Sequence, residues 1–405
     1  MAVKERFWQI HSRTLRSGRG PSSSHTMGPA RAAALFRSEH PEADHFRVVL
    51  YGSLALTGRG HLTDQAVREA LDPVDAEIVF DSRTGDLPHP NTMDLFACRD
   101  GAQTGFLRVL STGGGAITLV GRPDAALPEV YAETSYAEIA AWCKSNHARL
   151  PDYVERNEGK HIWDDLYRVW EAMKRSIVHG LSVSGELPGG LHVERKAQFL
   201  YEQRHIDESQ ATRENRLVCA YAFAVAEENA GGGVIVTAPT CGACGVLPSA
   251  LRYMQEQKGF SDEQVLRALA AAGVVGNLIK TNASISGAQC GCQAEIGSAC
   301  SMTAAALGEL FEMGIDQIEY AAEVAMEHHL GLTCDPIGGL VQIPCIERNA
   351  VAAMRAINAL SLANFLTSTR KISFDLVVKT MYETGRDLSH RYRETAEGGL
   401  AKHYC

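Results

Sequence analysis

The sequence changes texture near residue 134, and that change limits the folds open to it. Before it, "FRVVLYGSLAL" (46–56), "AEIVFDS" (76–82), "TMDLFAC" (92–98) and "GFLRVLS" (105–111) are rich in β-branched and aromatic residues and bounded by turn formers, the pattern of strands. "GPARAAALFRSEH" (28–40) and "LTDQAVREAL" (62–71) lie between them with apolar residues at helical spacing. After it, "SYAEIAAWCKSNHA", "WDDLYRVWEAMKRSIVHGL", "ENRLVCAYAFAVAEENA", "SDEQVLRALAAAGVVGNLIK" and "IDQIEYAAEVAMEHHL" all read as helices. "RNAVAAMRAINALSLANFL" (348–366) is apolar on nearly every face, which predicts a buried central helix. The expected class is α+β: a small N-terminal α/β-sandwich-like domain over 1–133, leaving through "GRPDAALPE" (121–129), connecting helices over 134–194, and a mainly α-helical domain over 195–405.

A chain of 405 residues can bury a large core. A net charge of −9 without a basic stripe argues against a nucleic-acid partner. No apolar run reaches membrane-spanning length; "ALAAAGVVGNLI" (268–279) is short and broken by Gly and Asn. The first twenty residues lack the apolar core of a secretory signal, so a cytoplasmic location is expected.

Eleven cysteines is an odd count, in a chain too long to need disulfide staples. Cys241, Cys244, Cys290, Cys292, Cys300, Cys334 and Cys345 crowd together, and Cys405 ends the chain behind Gly398 and Gly399. Crowding of this kind suits a soft-metal site, and it also suits buried thiols between small-residue helices. Spacing does not choose ligands among the seven. Cys241 and Cys244 form a C-x-x-C, but no second pair follows at zinc-ribbon spacing.

Polar residues gather at the breaks. "GPSSSHTMGP" (20–29) sets Ser22, Ser23, Ser24 and His25 before a helix, where they can cap it or frame an anion site. "LYGSLALTGRGHLTD" (50–64) places His61 after a strand on a Gly-flanked turn opening a helix, where its ordinary pKa suits proton transfer. "HPN" (89–91) and "STGGGA" (111–116) are further turns; Gly113, Gly114 and Gly115 expose backbone N–H groups but lack the spacing of a dinucleotide fingerprint. A structural histidine and plain turns are the bland readings of the same residues.

With these motifs in order, the sequence resembles the bacterial iron–sulfur L-serine dehydratases (L-serine ammonia-lyases) in their single-chain form. The resemblance runs through "GPSSSHT", "LYGSLALTG", "HPN", "LPGGL" (187–191), "TAPT", "NASISGA", "GCQAEIGSACSM" and "LGLTCDPIGGLVQIPCIERNA". It implies a 4Fe-4S cluster held by Cys292, Cys334 and Cys345, with Cys405 folding back onto the fourth iron. Cys241, Cys244, Cys290 and Cys300 are then not ligands. It further implies deamination of L-serine to pyruvate without pyridoxal phosphate, in a homodimer. On this reading His61 is the expected base and His25 the second choice. Ser22, Ser23, Ser24, Ser111, Gly113, Gly114, Gly115, Thr240, Asn282 and Ser284 are expected around the substrate's carboxylate and ammonium, between the two domains. Two departures stand out: Cys241 replaces the family's usual Asn after "TAPT", and the first domain is trimmed.

Three other readings are weaker. A pyridoxal-phosphate dehydratase would need a Schiff-base lysine beside a phosphate loop, and Lys280 has none in sequence. A redox or oxygen sensor would use the tail thiol but not the many Ser, Thr, Asn and His residues of the motifs. The same chemistry on another β-hydroxy or β-thiol amino acid stays open through Cys241.

Overall fold

The computed structural model describes residues 14–122, 130–204, 206–366 and 370–404. Cys405 lies outside the described residues, as does most of the expected exit at 121–129.

The N-terminal unit is a five-stranded sheet in the order β3–β2–β4–β5–β6, formed by β2 (His45–Tyr51), β3 (Asp75–Asp81), β4 (Thr92–Arg99), β5 (Ala102–Gly113) and β6 (Ala116–Leu119). β2 and β3 are parallel and the other pairs antiparallel. The parallel pair needs a crossover, supplied by helices Gly52–Thr57 and Thr63–Leu71. Helix Gly28–Glu39 starts with Pro29 in its first turn and buries Ala32, Ala33 and Phe36 in the same apolar cluster as Val48, Leu50, Val67, Leu95 and Val109. The expected strand 46–56 is therefore too long. It stops at Gly52, where φ is +52° and a Cβ would sit 2.5 Å from the Pro90 carbonyl oxygen. A side chain there would be both strained and crowded. His61 accordingly follows a short helix, not a strand.

The rest is helical, and its centre is helix Ile296–Leu310, in which every residue is buried. Its Gly, Ala, Ser and Cys side chains let helices Val246–Lys258, Asp262–Asn282, Ile315–Glu327 and Cys345–Leu366 pack around it. The segment 348–366, expected at the centre, lies one layer out: Val351, Phe365 and Leu366 are exposed. Its residues are apolar on all sides, but the smaller ones of 296–310 permit closer approach from every direction.

The boundary between the halves also differs from a cut at 133. Strand β1 (Ser17–Arg19) pairs antiparallel with β7 (Val234–Val236), Ser17 opposite Val236. Leu15 is fully buried in the helical core with Trp170 and Tyr221. The chain thus begins its described course inside the helical unit, crosses to build the sheet, and returns. No helix among the described residues is long and apolar enough to cross a membrane.

Candidate active site

The "SSSH" turn is folded around His25. Ser22 caps it, its Oγ accepting from the His25 backbone N–H at 3.1 Å. Ser24 Oγ lies 2.9 Å from His25 Nδ1. On the other side of the ring, Nε2 is 3.0 Å from Ser53 Oγ, and that hydroxyl donates to the carbonyl of Glu394 at 2.7 Å. With the Ser53 hydrogen committed, Nε2 is the protonated nitrogen of His25 and Nδ1 carries the lone pair.

His61 is held as definitely. Its Nδ1 is 3.0 Å from the Thr57 carbonyl, which can only accept, so Nδ1 bears the hydrogen and Nε2 the lone pair. Thr26 Oγ1 donates to the His61 carbonyl at 2.8 Å and ties the two turns together. The rings sit 4.4 Å apart between centroids, both buried. Burial, together with the charge each would present to the other, pushes His25 well below the ordinary imidazole range; burial alone takes His61 down to about 4. Both rings are therefore neutral at pH 7.

Glu394 joins these histidines to the cysteines. Its Oε1 lies 3.4 Å from His25 Nδ1 and 3.7 Å from His61 Nε2. Its N–H donates to the Cys334 carbonyl at 2.9 Å, and the Cys334 N–H donates to Tyr392 at 2.8 Å. Burial pushes this carboxyl well above the usual range, with Glu295 and Cys292 adding to the effect.

The thiols of Cys292 and Cys334 are in hydrogen-bond contact, which holds Cys292 below the ordinary thiol range and Cys334 well above it. Cys345, at the start of helix Cys345–Leu366, is raised by burial and then by Cys292. Arg348 is the countercharge: burial opposes its ionisation, yet Cys292, Cys345 and Cys334 hold it charged. It also reaches Asp335 at 3.2 Å. Glu295 stands on the far side, Oε2 3.8 Å from Cys334 Sγ, its carboxyl raised by burial. Gly287 is required beside them: a Cβ there would lie 2.6 Å from Glu295 Oε2 and 3.1 Å from Cys334 Sγ.

Around this centre the other sequence-selected residues divide. Ser111 Oγ donates to the Ser24 carbonyl at 2.7 Å. Gly113, Gly114 and Gly115 all have positive φ, and Gly113 faces Ser286 of the helical unit. Thr240 is buried beside Glu295, Ser23 is buried in the turn, and Ser284 bonds Gln289. Asn282 is not brought in: it is exposed, and its amide donates to the carbonyls of Thr134 and Leu278. Cys241, Cys244, Cys290 and Cys300 are buried elsewhere, Cys241 against Met27 Sδ at 3.4 Å and Cys300 against the Ala352 carbonyl. Glu394, Glu295 and Arg348 are the residues sequence reasoning missed. His89 was seen only as a turn. Its Nδ1 accepts from the Asn91 N–H at 3.0 Å, leaving a buried Nε2–H without a partner. A cleft of about 270 Å³, lined by Arg59, Gly60, Leu62, Pro188, Gly189 and Leu340 among others, opens beside His61.

Residues 91–401 match the family described as serine dehydratase alpha chain, and residues 14–77 the serine dehydratase beta chain. The chain belongs to the serine dehydratase family. It is 40% identical to an L-serine dehydratase of Haemophilus influenzae over 95% of this chain and 96% of that protein. An L-serine dehydratase of Streptomyces coelicolor is equally similar, and L-serine dehydratase 1 of Escherichia coli is 39% identical over the same shares.

This family and its buried thiols are consistent with an iron–sulfur cluster. The donor set fits: three buried thiols lie close enough to Arg348 to hold it charged, and that arginine can balance thiolate charge.

Proposed function

We propose that this serine dehydratase deaminates L-serine to pyruvate and ammonia in the space bounded by His61, His25, Glu394 and the three thiols, with a 4Fe-4S cluster held by Cys292, Cys334 and Cys345. Cys405 is the resting fourth ligand. Such a cluster, with one iron open to exchange, supplies a Lewis acid for a leaving hydroxyl.

The chain's own residues supply the rest. His61 Nε2, its lone pair fixed by the Thr57 carbonyl, takes the α-proton. The Cα electron pair forms the double bond as hydroxide departs from Cβ, and the proton held by His61 neutralises that hydroxide, giving aminoacrylate and water. Aminoacrylate tautomerises and hydrolyses to pyruvate and ammonia. The unpaired Nε2–H of His89 and the Gly113–Gly115 turn are donors suited to the substrate carboxylate. Burial of both histidines keeps water from the proton being moved. We place the enzyme in the cytoplasm as a homodimer.

The observation that carries this reading is Glu394, whose backbone is tied to Cys334 and whose side chain lies against both histidines. The test is a visible spectrum of anaerobically prepared protein before and after L-serine, with pyruvate assayed in the same cuvette. A brown band that shifts with serine as pyruvate accumulates supports the reading; a colourless protein that fails iron reconstitution overturns it.

A further inference from the structure

Three acceptors meet in the site with nothing cationic between them. His61 Nε2 and His25 Nδ1 both carry lone pairs, because their other nitrogens donate to Thr57 and Ser53. Glu394 adds a carboxyl whose Oε2 is buried without a hydrogen-bond partner. Among the described residues, these three form the one His/Cys/Asp/Glu group whose ligand atoms all lie within 4.8 Å of one another. Buried acceptors of this kind are costly unless a donor or a cation enters. The Ser24 hydroxyl can serve His25 Nδ1, but Glu394 Oε2 is left without a partner.

We propose that Glu394 is the anchor for the α-ammonium of the substrate. This rests on the reading of the site as one that deaminates an amino acid. An ammonium brings three N–H donors in tetrahedral array. One of them meets Glu394, and the others are left for water or hydroxyls. Held there, the substrate turns its Cα–H toward His61 Nε2. A divalent metal on the same three groups would occupy that lone pair and leave no base, so the ammonium is the better occupant. The other carboxylates are already engaged: Asp335 pairs with Arg348 and accepts from the Leu400 N–H at 2.7 Å, and Glu295 lies against the Cys334 thiol and Thr240. Glu394 also suits the role mechanically, since Ser53 and Cys334 fix its backbone from both units.

The experiment compares two ligands by titrating the visible band of the cluster-loaded enzyme. One is L-serine; the other is 3-hydroxypropionate, which keeps the carboxylate and hydroxyl but has no ammonium. In Glu394→Gln, L-serine should bind roughly 10- to 100-fold more weakly, the scale of a lost charged hydrogen bond. 3-Hydroxypropionate should change by less than about threefold, because it never used that group. Glu394→Asp, which keeps a carboxyl group, should fall between for L-serine alone; it decides the matter if the glutamine variant does not hold a cluster. Equal losses for both ligands would overturn the proposal. So would selective loss of serine in Glu295→Gln but not in Glu394→Gln. A divalent metal bound in addition to the cluster, and lost with Glu394→Gln, would assign the three acceptors to that metal instead. A wild type that makes no pyruvate from serine refutes the deamination reading. These outcomes instead leave the wild-type activity intact and remove only the ammonium anchor.

Discussion

The N–H of Glu394 donates to the carbonyl of Cys334, sixty residues upstream, only because the final segment lies alongside the cysteine loop, in a parallel bridge of Cys334 with Arg393. The tail is thus clamped at residue 394 and tied again at Leu400, whose N–H donates to Asp335 Oδ2.

Gly399 should therefore control the tail. Its φ is +57°, and a Cβ would stand 2.1 Å from Asp335 Oδ2. Gly399→Ala adds a left-handed penalty of about 1–2 kcal/mol and pushes on the carboxylate that holds Leu400. The undocked tail should become roughly 5- to 30-fold more populated. The visible band of the cluster should then bleach faster in air, in the manner of Cys405→Ser, with anaerobic turnover kept. Equal air lifetimes for Gly399→Ala, Cys405→Ser and wild type would remove any role for the tail.

His61 and His25 separate by their free nitrogens. His61 Nε2 faces Glu394 at 3.7 Å with its ring held from behind by Thr57, whereas His25 Nδ1 is already engaged by Ser24. His61→Ala should lower kcat by about a hundredfold or more while the visible band stays unchanged. His25→Ala should act mainly on KM. Near-normal kcat in His61→Ala, or a larger loss of kcat at His25, would reverse the assignment.

Much of this was legible in the sequence, for identifiable reasons. Strands β3 to β5 announce themselves because a half-buried sheet needs alternating β-branched and aromatic residues, and the helices because their apolar residues repeat at helical spacing. His25, His61 and the cysteines stand out through their chemistry and Gly-rich flanks. Glu394 did not, because "RYRETAEGG" looks like a solvated tail; only its pairing with Cys334, sixty residues upstream, makes it internal. Asn282 erred the other way: polar and beside "SIS", it was spent on the carbonyls at a helix end. β1 was invisible because three residues carry no period, and its partner β7 lies more than two hundred residues away.

The position of β1 gives a stability prediction. Leu15 is fully buried among helical residues although it precedes the sheet in sequence. Leu15→Ala should cost about 2–5 kcal/mol and destabilise the helical unit, lowering the urea midpoint followed by helical circular dichroism. A loss below about 0.5 kcal/mol would return residues 14–19 to the status of a loose leader.

The buried histidines predict the acid limit of the fold. Burial takes His61, His89 and His329 each down from 6.5 to about 4. The unfolded chain takes up these protons as pH falls through about 6.5, whereas the folded chain resists them until about 4. Stability is therefore full above that window and is lost progressively on acidification. Between pH 7 and pH 5 each ring should cost up to about 2 kcal/mol, from 1.36 kcal/mol per unit. The urea midpoint should fall steeply over those two units, and more gently in His329→Gln, which removes one of the three rings at a distance from the thiols. A midpoint flat from pH 7 to pH 5 would mean that these rings are protonated in the folded protein. The lone pair assigned to His61 Nε2 would then be lost with them.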